Sequence, residues 1–319
     1  MMRQTVCLPN FFAYMTPDKR PTLMTQDRRS VIPLRMMMPR PAKVARRLPL
    51  GLCAGVLLLL VPLSAATAQG RLDAQYEATL AGIPVGKGSW TIEISDDQFS
   101  AAATGGTAGL MKAFSGGTGT GASQGRVVNG ALVATNYSAS TTTAKKSEAI
   151  HISLLNGNVK EFGIVPEPPV DPNRIPLTDA HRHGVYDPMT GSMLHVPGTS
   201  DPLTPDACRT GAAIFDGRMR YDLKLDFKRM ETVKAEKGYY GPVVVCAIYF
   251  SPVAGYIPDR PVIKYLAAQR NIEIAFAPVA GTRILVPFRM VIPTPIGTAM
   301  LEATQFITQA TPPRVAKTQ

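Results

Sequence analysis

From residue 70 onward, apolar and polar positions alternate along most of the chain. Leu72, Ala74, Tyr76, Ala78 and Leu80 are interleaved with Asp73, Gln75, Glu77 and Thr79, a period of two that predicts a strand with one buried face and one wet face. Gly82-Ile83-Pro84-Val85-Gly86 reads as a turn, and the alternation resumes in Ser89–Ile94, so the two segments are expected to pair as an antiparallel hairpin. Further strands are expected over 99–104, 124–128, 131–140, 149–155 and 159–165, with a tight turn at Asn156-Gly157-Asn158. Between Pro166 and Pro205 the pattern stops, and nine prolines punctuate an irregular connection. Within it a short helix is expected near 187–194, because Asp187 can cap it and Pro188 suits its first turn.

The second half restarts at 209–215 and enters the clearest strand in the chain, where Tyr221, Leu223, Leu225 and Phe227 alternate with Asp222, Lys224, Asp226 and Lys228. Strands over 242–250, 272–277, 283–292 and 298–307 follow, with a short helix over 262–268, and residues 310–319 are expected to be a disordered tail. Roughly a dozen short strands at hairpin spacing must hide their edges, by curling into a barrel or folding into a sandwich. The expected fold is mainly β: one domain over residues 70–309, built as a strongly curved antiparallel sheet or open barrel. The proline-rich middle segment is expected to plug or cover its opening.

Composition agrees with this architecture. The 319 residues are 45% hydrophobic and 18% charged, with 27 glycines, 28 prolines and one tryptophan. The formal net charge of +11 changes meaning once it is located. Residues 1–69 hold ten Lys/Arg and two acids, which leaves +3 on the remainder and no electrostatic footprint for nucleic acid.

Arg40, Lys43, Arg46 and Arg47 precede an uncharged run from Leu48, strongly apolar to Leu63, that ends in Ala66-Thr67-Ala68. A basic segment, an apolar segment and a small-x-small site are the parts of a secretory signal peptide. The apolar run falls short of the roughly 20 residues of a membrane span. Cleavage is expected after Ala68, with no stable transmembrane anchor left and a periplasmic destination. Cys53 follows Leu52 rather than a small residue, which argues against lipidation, and Arg46-Arg47 lacks the rest of a twin-arginine signal. Because Met36-Met37-Met38 lies at signal-peptide distance from that site, 36–68 is read as the leader and 1–35 as an upstream extension from a misplaced start. The mature chain then keeps Cys208 and Cys246, which are expected to form one structural disulfide. A redox pair or a metal pair would favour closer spacing.

Several motifs suggest chemistry. Gly121-Ala122-Ser123-Gln124-Gly125 matches the nucleophile elbow of serine hydrolases, but that motif needs a helix after the serine, and Arg126-Val127-Val128 reads as strand. Gly116–Gly121 reads as a flexible glycine-rich turn. Asp179, His181, His183 and His195 fall in the irregular segment, and such a set binds zinc when loops converge the ligands. It is the only metal candidate, and neither a cofactor nor a catalytic set is expected. Arg218, Arg220, Lys224, Lys228 and Arg229 are interleaved with acids, as on a solvated strand face.

The chain resembles an uncharacterised family of exported bacterial proteins, domain-of-unknown-function family 3108, over about Tyr76 to Ile307. The resemblance rests on Tyr76-Glu77-Ala78 with Gly82–Gly86, on Val185-Tyr186-Asp187-Pro188-Met189, and on Phe215-Asp216-Gly217-Arg218-Met219-Arg220-Tyr221-Asp222-Leu223. Cys246 with Pro252–Tyr256, and Val286-Pro287-Phe288-Arg289 with Pro295-Ile296-Gly297, complete it. It implies a periplasmic, β-rich protein and carries no established reaction. More remotely, such curved sheets are similar to lipoprotein carriers and to envelope-integrity proteins, an analogy of fold alone. The expected function is non-enzymatic binding of a lipid-like molecule or an envelope protein in the concavity of the sheet, in support of envelope integrity. The alternatives are an exported hydrolase or metal-dependent enzyme centred on His181 and His183, and a structural interaction module.

Overall fold

A computed structural model describes residues 69–109 and 116–310. The proposed leader, the upstream extension and all but the first residue of the 310–319 tail lie outside the described residues. In chain order the strands are β1 (Gly70–Leu80), β2 (Ile83–Ile94), β3 (Gln98–Thr107), β4 (Gly117–Val128), β5 (Ala131–Thr143), β6 (Ser147–Leu155) and β7 (Asn158–Val165). Then come β8 (Leu194–His195), β9 (Gly211–Phe215), β10 (Arg220–Lys234), β11 (Lys237–Gly238), β12 (Tyr240–Ala254), β13 (Ile272–Pro278), β14 (Ile284–Thr294) and β15 (Gly297–Ala310). Among the described residues there is one α-helix, α1 (Pro261–Ala268), between β12 and β13, with Pro261 in its first turn. No helix among the described residues is long and apolar enough to cross a membrane.

The strands form one sheet in the order β7-β6-β5-β4-β3-β2-β1-β15-β14-β13-β12-β10-β9, with β11 added beside β15 and β8 beside β14. All neighbours along this order are antiparallel. The sheet curls, because side chains from both ends of the order share one cluster. Leu72, Ile92, Phe99, Leu132, Ile150 and Ile152 pack together with Phe215, Val243, Val286 and Phe306. These are the alternating apolar positions read from the sequence, and they line the concave face.

The two edges of the sheet do not pair with each other. A strap of irregular chain, residues 184–196, closes the seam. The Val185 amide donates to the Gly157 carbonyl in the β6–β7 turn, while Tyr186 donates to Ala213 and accepts from Phe215 on β9. Across the same seam the Phe162 ring of β7 stands edge-on to Phe215, with centroids 5.1 Å apart. Glu148 of β6 pairs with Arg218, just beyond β9. Val185, Met189 and Met193 of the strap are buried in the concave cluster, so the middle segment does fill the opening. The expected helix over 187–194 is reduced to a single 3-10 turn, Thr190–Ser192, because the segment must reach the interior and then pair as β8.

A second apolar cluster occupies the outer face of the other half of the sheet. Val244, Cys246, Ile248 and Phe250 of β12, with Ile274, Phe276 and Leu285, are covered by Ala207, Cys208 and Leu266 of α1. Burial on both faces explains why Val243–Phe250 is an uninterrupted apolar run rather than an alternating one. The Cys208–Cys246 disulfide, with Cα atoms 5.6 Å apart, ties the Pro205–Cys208 turn to β12. The expected pairing is thus formed.

The 116–121 turn reading is corrected. Residues 117–121 belong to β4, which begins at Gly117, with Gly116 just before it. A Cβ on Gly121 would lie 3.1 Å from the Met189 methyl of the strap, which would have to shift slightly to admit it. At Gly125 a Cβ would meet the Val133 carbonyl oxygen, where the register between β4 and β5 shifts.

Candidate functional site

The strap brings a set of polar groups into the apolar interior. Asp187 is fully buried. Its Oδ1 accepts hydrogen bonds from the backbone amides of Met189 and Thr190, both at 2.9 Å, so it braces the chain entering the 3-10 turn, whose cap position is Met189 rather than the expected Asp187. Its Oδ2 accepts from Ser123 Oγ at 3.2 Å, and Ser123 Oγ lies 2.9 Å from Thr190 Oγ1. Burial pushes the Asp187 carboxyl above the usual carboxylate range, and these hydrogen bonds oppose that rise without cancelling it. Asp216 is also buried and raised, with Oδ1 accepting from the amides of Arg218 and Met219. Tyr137 and Tyr221, near both carboxyls, are raised by burial and then by that negative charge.

Ser123 is therefore an anchor. It sits mid-strand on β4, its side chain is buried, and its partners are Asp187, Thr190 and the Asn136 carbonyl. None of these is a histidine able to take its proton, and no helix follows it.

The outer face of β1–β7 is polar and carries a trough of about 650 Å³. Strand register builds it. One row runs across all seven strands as Arg71, Glu93, Ser100, Gln124, Asn136, Ser153 and Glu161, each residue opposite the next. The adjacent row is Asp73, Thr91, Ala102, Ala122, Ser138, His151 and Gly163. The first row forms one wall, and Thr91, Ala102, Ala122 and Ser138 form a low floor. Arg71 pairs with Glu93 at 2.6 Å. A Cβ on Gly163 would collide with the His151 ring, so glycine there lets the imidazole lie across β7. A smaller cleft of about 430 Å³ lies at the seam, between Phe162, Ile164, Leu177, Arg174 and Arg218. Arg174 donates to the Gly255 carbonyl there, and burial, then the nearby Arg260 and Arg218, lower its pKa.

The family model for the proteins of unknown function called DUF3108 matches residues 75–304. The chain belongs to the DUF3108 family. Among solved structures, this DUF3108 protein is similar to the beta-barrel-like protein of domain of unknown function DUF1849 from Brucella abortus. The two are 10% identical, and the match covers 77% of this chain and 98% of that one with a TM-score of 0.42. No curated protein matches the chain.

The metal set expected from the sequence does not assemble in this DUF3108 protein. Asp179 and His181 share the 3-10 turn Asp179–Arg182, where Asp179 pairs with Arg182 and His181 Nδ1 accepts from the Thr178 amide. His183 Nδ1 lies 2.9 Å from Asn158 Oδ1. His195 stands apart on β8 opposite Ile284 of β14, its pKa lowered by burial and then by Arg283. Among the described residues, no group of three His, Cys, Asp or Glu side chains could hold a metal ion. Nδ1 of His181 and Nδ1 of His183 are instead engaged by Thr178 and by Asn158 of β7. The basic residues of 218–229 are each paired: Arg218 with Glu148, Arg220 with Asp222, Lys224 with Asp226, Lys228 with Glu273, and Arg229 with Glu231 and Glu273.

Register-dependent features were missed by sequence reasoning. The polar row from Arg71 to Glu161 had no sequence signal, since its members are separated by hairpins of different lengths and three register shifts. The buried Asp187 could have been found: a carboxylate between Tyr186 and Pro188, in a 185–196 stretch whose only other ionisable side chains are Tyr186 and His195, is costly to bury unless it is hydrogen bonded.

Proposed function

We propose that this protein acts outside the cytoplasm as a non-enzymatic binding protein of the cell envelope, taking a lipid-like molecule into its concave face. The observation that carries this reading is the nature of the seam. The sheet edges are bridged by the 184–196 strap, and the strap fills the concavity with two unbranched methionines, Met189 and Met193. Methionine adapts its shape to irregular partners and is used on surfaces that exchange one apolar contact for another. Burying Val185, Met189 and Met193 contributes roughly 5–9 kcal/mol gross. A lipid chain that replaced these side chains would supply apolar contact of the same kind, so strap and ligand compete for one space. The leader read from residues 36–68 and the Cys208–Cys246 disulfide support an oxidising compartment.

Native mass spectrometry of protein recovered from the periplasm tests the proposal. A retained mass matching a lipid or fatty acid is the expected result. It should be lost when an engineered disulfide ties the strap to β9. Recovery of the bare chain alone, together with no binding of long-chain fatty acid to the purified protein, would overturn it.

A further inference from the structure

The trough on the outer face lies on the side of the sheet opposite the strap and is not used by the proposed lipid site. We propose that it binds an unbranched, uncharged oligosaccharide laid across the strands. Four observations converge on that class of ligand.

Length comes first. Seven neighbouring strands at about 4.8 Å spacing give a track of roughly 29 Å, long enough for an extended chain of several sugars and far longer than a monosaccharide needs. The spacing is also close to the span of one hexose ring, so each strand offers one side chain per sugar.

The second observation is hydrogen-bonding character. Gln124 and Asn136 present amides that both donate and accept, Ser138 and Ser153 do the same with hydroxyls, and His151 and Glu161 close the β6–β7 end. Sugar hydroxyls are themselves both donors and acceptors, and mixed groups match them where a purely cationic or purely apolar wall would not.

Charge is the third. Arg71 is paired with Glu93, and Glu161 adds a negative charge, which disfavours phosphate-bearing or other polyanionic chains. The fourth is the floor. Ala102 and Ala122 are exposed at its centre, so their methyl groups meet the ligand directly and suit the C–H face of a pyranose ring. An added polypeptide strand has no place here: β2 to β6 are paired on both sides, which leaves no free backbone edge to extend.

Isothermal titration of the purified protein with cellohexaose, maltohexaose and chitohexaose, each beside its disaccharide, tests this inference. At least one hexamer is expected to bind, about tenfold or more tighter than its dimer, because the dimer reaches only a third of the track. Ala122→Arg, which places a long side chain across the floor from an exposed position, should weaken that binding at least about tenfold with an unchanged melting temperature. Asn136→Ala should weaken it by a smaller factor. Absence of binding by all three hexamers, or binding left intact in both variants, would overturn the inference. Trp90 faces the concave cluster, so hexamer binding should leave its fluorescence unmoved, whereas lipid entry should not.

Discussion

Replacing Asp187 tests how the strap is held. In Asp187→Ala the amides of Met189 and Thr190 lose their shared acceptor, while Ser123 keeps Thr190 Oγ1 as a partner. A buried donor left unsatisfied costs about 1–3 kcal/mol, so two such donors, partly relieved by relaxation of the turn, should cost about 3 kcal/mol. Asp187→Asn keeps an acceptor oxygen for both amides and offers Ser123 an N–H, so it should cost less than about 1 kcal/mol. The two variants also separate hydrogen bonding from charge. The folded-state pKa of Asp187 is raised by burial. Folding therefore binds a proton as pH falls through that value, and the wild-type chain gains stability on acidification until the unfolded carboxyl also protonates. Asp187→Asn removes this gain and leaves that of Asp216 in place. Urea unfolding of the three proteins over a pH series that descends from alkaline pH toward the ordinary carboxylate range reads both effects. Wild type should improve relative to Asp187→Asn at the lower pH. If Asp187→Asn is as destabilised as Asp187→Ala, or if its difference from wild type does not change with pH, the reasoning fails.

Three further outcomes follow from the packing. Gly125→Ala should destabilise the fold by about 1–3 kcal/mol, because its Cβ meets the backbone of Val133 and Ala134. Gly121→Ala should cost less, since its Cβ meets only the movable end of Met189; thermal melts that ranked the two the other way would refute the strap contact. Removing the disulfide with Cys208→Ser and Cys246→Ser should cost about 3–4 kcal/mol for a loop closed over 38 residues, read as a lower denaturation midpoint that matches wild type under reduction. Trp90, the single tryptophan, is buried with an Nε1 that has no hydrogen-bond partner. Its emission should shift when long-chain fatty acid enters the concave face, and a flat titration would count against the lipid site.

How far the sequence reached depended on whether a feature is local. The strand at Leu72–Leu80 was legible because its alternating positions face two different media, and Tyr221–Leu225 for the same reason. β4 was not legible as a strand before residue 124. Its glycines look like a turn when only chain neighbours are considered; the tertiary neighbours that crowd them, the Met189 methyl at Gly121 and the Val133 backbone at Gly125, come from elsewhere in the chain. The histidines illustrate the opposite error. His181 and His183 are close in sequence and of the right type, yet one is engaged by Thr178 within its own turn and the other by Asn158 at the start of β7.

The two candidate sites differ in the same way, and that difference bears on which experiment is the more telling. The concave site is made by residues whose burial the periodicity already implied, so finding them inside adds little evidence for a ligand; any well-packed curved sheet would bury them. The strap is the informative part, because a covalently continuous plug made of irregular chain could have been replaced by direct pairing of β7 with β9, and it was not. The outer trough owes nothing to core packing. Solvent-facing positions on seven strands are free to vary without loss of the fold, yet register aligns amides, hydroxyls and carboxylates in one row and leaves alanine methyls bare beside it. A row that stability does not require is better evidence of binding than a core that stability does. Loss of glycan binding in Ala122→Arg with an undisturbed melt would therefore speak to function more directly than any substitution inside the concave face, where ligand affinity and folding are coupled through the same side chains.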